Sequence, residues 1–144
     1  MNDQENQIQV FISYPHTQKS SQLMEILASD LREQGVKVSS VEDISAGASW
    51  VEYIKTAIEQ ANFIIADLSD SNPNVMYEVG YAHAMRKPVL PIVQASTQDI
   101  PFNLSGYQYV VYDANDPGSL RQRVQNWTAT YLNNIQRGSS VANG

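Results

Sequence analysis

The chain has 144 residues, a length that fits one domain with one core, and 42% of them are hydrophobic against 17% charged. It has no cysteine and only two histidines, which excludes disulfides, thiolate metal sites and a cysteine nucleophile and leaves little for zinc. The formal net charge is −6 and the pI about 4.7. With no basic cluster, this argues against nucleic acid or an anionic membrane as partner. No apolar run approaches the roughly 20 residues of a membrane span. The polar start, Met1 to Gln7, lacks the apolar region of a signal peptide, so a cytoplasmic protein is expected.

Ile8, Val10 and Ile12 alternate with Gln9, Phe11 and Ser13. Phe11 makes the second face apolar too, so this segment predicts a central strand covered on both sides. A polar loop, Tyr14 to Lys19, leads to a helix carrying Leu23, Ile26, Leu27 and Leu31, with Gly35 as its stop. Val36, Val38 and Val41 predict a second strand, at an edge. After the loop Glu42 to Ala48, Ser49 and Glu52 have capping-box spacing. Trp50, Ile54, Ala57, Ile58 and Ala61 form the expected stripe of the next helix.

The run Phe63 to Ala66 reads as a buried strand. It turns through polar residues into a helix with Asn72 as N-cap and Pro73 at the first helical position. Val89 to Val93 reads as a strand that Pro91 compromises, because proline cannot donate to a ladder. An irregular stretch, Gln94 to Gln108, precedes a last strand at Tyr109 to Tyr112. Asp116 and Pro117 open a final helix with Leu120, Val124, Trp127 and Tyr131 on one face. Residues 1–136 are expected to form the domain, and 137–144 a flexible tail or the start of a linker. The alternation predicts an α/β fold: a flavodoxin-like three-layer sandwich, with a five-stranded parallel sheet covered by helices on both faces.

Chemistry is sought beyond the carboxyl ends of such strands. No glycine-rich phosphate loop follows the first strand, so dinucleotide-binding dehydrogenases and P-loop NTPases are poor readings. The hydroxyls of Ser13, Tyr14 and Thr17 can contact a ligand there or satisfy loop backbone. Glu78 is the main candidate. Val75, Val79 and Ala82 form the buried stripe of its helix, and Glu78 sits at the margin of that stripe. Asn74 and Tyr81 share its face. A half-buried carboxylate flanked by an amide and a phenol can bind ribose hydroxyls or stabilise an oxocarbenium-like centre. The competing reading is a solvated surface glutamate. Asp67, at the end of the third strand, suits either a ribose contact or a cap for the next turn. Trp50 and Tyr77 suit either packing or stacking on a base or nicotinamide ring. His83 points away from Glu78. No metal ligand set is predicted.

Several of these stretches resemble the TIR domain family. Val10-Phe11-Ile12-Ser13-Tyr14 is similar to its first-strand box, and Gly47 with Trp50 to its second box. Residues 57–65 resemble the approach to its third strand, and Val89-Leu90-Pro91-Ile92 its fourth. Asp67-Leu68-Ser69, Asn72-Pro73-Asn74-Val75 and Tyr77-Glu78-Val79-Gly80-Tyr81-Ala82 also resemble nucleoside 2-deoxyribosyltransferases, and more closely the bacterial TIR-like proteins of antiphage defence. Where many catalytic TIR domains carry tryptophan, four residues before the glutamate, this chain has Asn74.

The resemblance implies an NAD+ glycohydrolase or ADP-ribosyl cyclase of bacterial immunity. Glu78 would be the catalytic residue, and Ser13, Tyr14, Trp50, Asp67, Asn74, Tyr77 and Tyr81 would bind substrate. NAD would be substrate and no cofactor is implied. The resemblance further implies a homo-oligomer on activation, assembled through the loop containing Asp43, Ser45 and Gly47, with a further domain or effector protein as a possible partner. Two alternatives stand beside it: a deoxyribosyltransferase-like enzyme, in which the glutamate attacks the sugar, and a TIR interaction module without catalysis.

Overall fold

The computed structural model describes residues 7–40, 49–96 and 109–143. Among these residues five strands and four α-helices follow one another, in alternation as far as β4: β1 (Gln9–Ser13), α1 (Gln18–Glu33), β2 (Lys37–Ser40), α2 (Trp50–Gln60), β3 (Phe63–Asp67), α3 (Pro73–Ala84), β4 (Val89–Gln94), β5 (Val110–Tyr112) and α4 (Pro117–Asn143). The strands form one sheet in the order β2-β1-β3-β4-β5, and every pairing is parallel. The three-layer α/β architecture expected from the sequence is therefore present, with β1 and β3 inside the sheet and β2 at an edge.

Strand alternation divides the core in two. Val10, Ile12, Phe63, Ile65, Leu90 and Ile92 face α1 and α4, where Leu27, Leu31, Leu120 and Val124 meet them. Phe11, Ile64, Ala66 and Val93 face α2 and α3, against Ile54, Ile58, Val75 and Val79. On the first face the ring of Phe63 lies 4.9 Å from that of Trp127 and 4.8 Å from that of Tyr131. There too, Arg121 of α4 makes two 2.9 Å bonds to the Asp30 carboxylate of α1. Those bonds hold the Asp30 carboxyl below its ordinary range.

Local chemistry sets the element ends. Thr17 caps α1 by accepting from the Ser20 amide at 3.1 Å, so this loop hydroxyl serves the backbone. Gly35, at φ +87°, supplies the left-handed turn that ends α1. Ser49 caps α2 through the Glu52 amide at 3.4 Å. Asn72 caps α3 by accepting from the amides of Asn74 at 2.9 Å and Val75 at 3.2 Å.

Three sequence expectations change. Trp50 does not join the buried stripe of α2: it opens the helix and is 38% exposed, whereas Ile54 and Ile58 are fully buried. The backbone of α4 stays helical through Asn143, where a tail was expected from 137. The stretch has no proline to stop it, and extending an existing helix costs far less than nucleating one. Finally, Pro91 sits inside β4 without breaking it. Pro88 and Ile92 offer their carbonyls to β3, through bonds from Ile64 and Leu68 at 2.9 Å each. Odd-numbered positions therefore face β5, whose pairing begins only at Ile92 with Val110. The missing donor of Pro91 falls where no ladder partner is required. Val41 and the loop with Asp43, Ser45 and Gly47 lie outside the described residues, as does most of the stretch 94–108.

The position of Phe63 yields a quantitative expectation. Phe63→Ala removes a ring that is 0% exposed and touches two other rings. It should cost about 3–5 kcal/mol of unfolding free energy, while Phe63→Leu should cost distinctly less. Urea unfolding measures both, and an unchanged midpoint for Phe63→Ala would contradict this packing.

Candidate functional site

The sheet order creates one crevice by topology. From β1 the chain crosses to β2 on one side, and from β3 it crosses to β4 on the other. Between the carboxyl ends of β1 and β3 the two connections diverge, and ligands of open α/β sheets bind at such a point. The last residues of these strands, Ser13 and Asp67, are 1% exposed each.

Ser13 lies two residues after Phe11 and therefore on the α2/α3 side. Its hydroxyl donates to Glu78 Oε1 at 2.5 Å. Glu78 lies one turn and a half into α3, whose entry is fixed by the Asn72 cap and by Pro73. The sequence placed Glu78 at the margin of the apolar stripe, but the packing against β1 is closer than that, and Glu78 is 3% exposed. Burial pushes its carboxyl above the ordinary range, while the Ser13 hydroxyl, which favours the ionised form, pulls the other way and does not cancel it. A buried carboxyl thus stands near the switch point with one hydroxyl donor on it.

The other candidate residues divide between the two faces. On the α2/α3 side, Asn74 stands exposed one turn before Glu78. Tyr77 is 49% exposed beside it, and Trp50 opens α2 with its ring 38% exposed. Tyr81 is turned toward α2: its hydroxyl donates to Glu59, and Lys55 Nζ lies 5.9 Å from its ring centroid. The Glu59 carboxylate, by accepting that proton, raises the phenol to about 12.

Tyr14 and Asp67 lie on the other side. Tyr14 packs into the α1/α4 core with Met24, its ring 4.7 Å from that of His16. The sheet therefore separates Tyr14 from Glu78. Asp67 accepts from the Ser69 amide at 3.0 Å and from the Tyr112 hydroxyl at 2.7 Å. Burial raises its carboxyl against these bonds. The Ser69 hydroxyl accepts from the Gln94 amide at 2.9 Å, joining the turn to β4. Sequence reasoning missed Tyr112 and Ser69. The available signal was an aspartate closing an otherwise apolar strand, which must find donors nearby.

Between β3 and α3, Asp70 and Ser71 adopt left-handed φ values of 63° and 47°. Two consecutive non-glycine residues in this region store strain at the mouth of the crevice. Among the described residues no group of three or more His, Cys, Asp or Glu side chains could hold a metal ion. Nor is any helix among them long and apolar enough to cross a membrane.

Comparison with known proteins places this geometry in a family. By sequence, no curated protein matches the chain. Among solved structures, the CMP N-glycosidase BcmB of Clostridium botulinum superposes with a TM-score of 0.68 at 20% identity, over 83% of this chain and 98% of that one. The TIR domain of the Toll-related receptor TRR-2 from Hydra magnipapillata gives 0.64 at 21% identity, over 79% of this chain and 91% of that one. A 2-deoxyribosyltransferase from Bacillus psychrosaccharolyticus gives 0.55 at 16% identity, over 75% and 88%. At these identities the likeness is one of fold. The family model for the TIR domain matches residues 10–125, from the middle of β1 into α4. That span holds Ser13, Glu78 and every strand from β2 to β5, and the chain belongs to the TIR domain family.

Proposed function

We propose that this TIR domain cleaves the N-glycosidic bond between nicotinamide and ribose in NAD+, as a glycohydrolase or ADP-ribosyl cyclase acting in bacterial antiphage immunity. The observation that carries the reading is the buried Glu78 carboxylate at the switch point, with Ser13 donating to one of its oxygens at 2.5 Å. Family membership supports it, as does the shared fold with an enzyme described as an N-glycosidase.

When the C1′–N bond breaks, its electron pair leaves with the base and positive charge develops across C1′ and the ring oxygen. A carboxylate held in a water-poor site opposes that charge far better than one in bulk water. Ser13 engages Oε1, so Oε2 is the oxygen for the sugar. Water then adds to C1′ and gives up a proton, or a nucleophile within the same molecule closes a ring. Trp50 and Tyr77 offer exposed aromatic faces for the base, and Asn74 an amide for a ribose hydroxyl. Self-association and a cytoplasmic setting belong to the same proposal and rest on the family resemblance. A second reading, a deoxyribosyltransferase-like enzyme with Glu78 as the attacking group, is favoured by the fold shared with that class.

The deciding experiment incubates the protein over a wide concentration range with NAD+, CMP or a 2′-deoxynucleoside, and separates the products. Nicotinamide release supports the proposal. Exchange of bases on the deoxynucleoside alone supports the second reading. No turnover of any substrate at any concentration supports an interaction module.

Glu78→Gln keeps size and accepts from Ser13 but removes the charge. It should lower turnover by about 10² to 10³. A variant that retains wild-type turnover would remove Glu78 from the mechanism. The stability of this variant has a definite sign. A carboxyl raised in the folded state contributes most below its unfolded pKa and loses that contribution as pH rises through its folded value. As pH rises above the unfolded value the wild type loses that contribution, and at neutral pH Glu78→Gln should melt no lower than wild type.

The pH profile follows from the same shift. Glu78 works ionised, and its carboxyl is raised by burial. The kcat/KM for nicotinamide release should therefore fall on the acid side with a midpoint above the usual glutamate value of about 4.3. A profile flat down to that value would contradict the role.

A further inference from the structure

We propose that Ser13 is a positioning residue for Glu78: its hydroxyl fixes the carboxylate toward the crevice and, as a donor, favours its charged form, and it is not a ligand of the substrate. This inference rests on the reading of Glu78 just given, and it reassigns a residue that the sequence alone marked as substrate-binding.

Ser13 has one hydroxyl proton, and that proton is committed to Glu78 Oε1 at 2.5 Å. Both side chains are buried, at 1% and 3% exposure. The serine is held by its backbone. It ends β1, which is paired on one side with β2 and on the other with β3, where Ser13 stands opposite Ala66. A serine has one side-chain torsion to set, whereas a glutamate has three. Across that bond the rigid strand therefore restrains the mobile partner, and a glutamate placed by a single fixed donor presents its other oxygen in one direction.

The electrostatic effect has the same origin. A hydroxyl donating to a carboxylate stabilises the charged form and opposes the effect of burial. The other charged or titratable groups on the packed elements are already engaged or lie elsewhere. Glu59 and Lys55 of α2 gather on Tyr81. Glu52 lies on the first turn of α2 and is exposed. Asp67 faces the α1/α4 side with Tyr112, His16 lies tilted against the Tyr14 ring, and Asp70 is exposed in the turn after β3. Among the described residues, burial and Ser13 are the influences on the Glu78 carboxyl, with no charged neighbour among them.

The test compares wild type with Ser13→Ala, Ser13→Cys and Ser13→Thr. The Glu78 carboxyl is titrated directly by carbon NMR, assigned by its loss in Glu78→Gln, and kcat and KM are followed against pH. A hydroxyl donating to a carboxylate favours the charged form, and removing it leaves burial unopposed. Ser13→Ala should therefore raise the Glu78 midpoint by about one to two pH units. It should lower kcat at neutral pH by about tenfold or more, with partial recovery as pH rises and little change in KM. Ser13→Cys keeps the shape with a weak donor and should shift the midpoint in the same direction. Ser13→Thr keeps the hydroxyl and should restore the wild-type midpoint.

The proposal is overturned if the midpoint is the same in Ser13→Ala, Ser13→Cys and wild type. It is also overturned if Ser13→Ala raises KM alone, which would make Ser13 a substrate ligand. A wild-type protein that cleaves no N-glycoside would sink the proposed function, while the titration would still decide whether Ser13 controls Glu78.

Discussion

All five residues of β3 are buried, because helices close both faces of the sheet over it and β1 and β4 close both edges. A strand sealed in this way can present chemistry only at its end. The apolar run that makes β3 a good centre for the core leaves its carboxyl terminus, with that of β1, as the place where polar groups must gather. The two core clusters, the outward divergence of the connections and the position of α3 all follow from that constraint.

Two carboxylates stand at this end, and the sheet keeps them apart. Asp67 has donors on both oxygens, one from the backbone of Ser69 and one from Tyr112. A buried acid satisfied in this manner organises the turn. Glu78 lies across the sheet with the Ser13 hydroxyl on one oxygen. The two acids differ in their partners more than in their burial: both oxygens of Asp67 accept a bond, and one oxygen of Glu78 does. The left-handed pair Asp70 and Ser71 joins the two, since it carries the chain from the end of β3 toward the start of α3.

The fold was legible because periodicity and caps are local. Phe11 marked a strand covered on both sides, and Asn72-Pro73 marked the start of α3 to the residue. Trp50 was misplaced because helical spacing puts it in line with Ile54 and cannot show that the first turn of α2 is exposed. Pro91 read as an obstacle because one sequence does not reveal which side of a strand lacks a partner. Glu78 is a candidate readable from its own helix, but its donor lies 65 residues away in the chain. Tyr14 shows the same limit. It is adjacent to Ser13 in sequence, yet strand alternation sends it to the opposite face. The link between Asp67 and Tyr112 spans 45 residues and has no local signature.

That last link has a mechanical consequence. β5 has three residues and, among the described residues, pairs only with β4, and an edge strand so short would ordinarily fray before the rest of the sheet. Tyr112 reaches past β4 to the acid at the end of β3, so peeling β5 away would strip a donor from a buried carboxylate. Opening the edge therefore entails disturbing the centre. The amides of β5 should exchange with solvent on the schedule of global unfolding, and the narrow edge strand becomes part of the cooperative core.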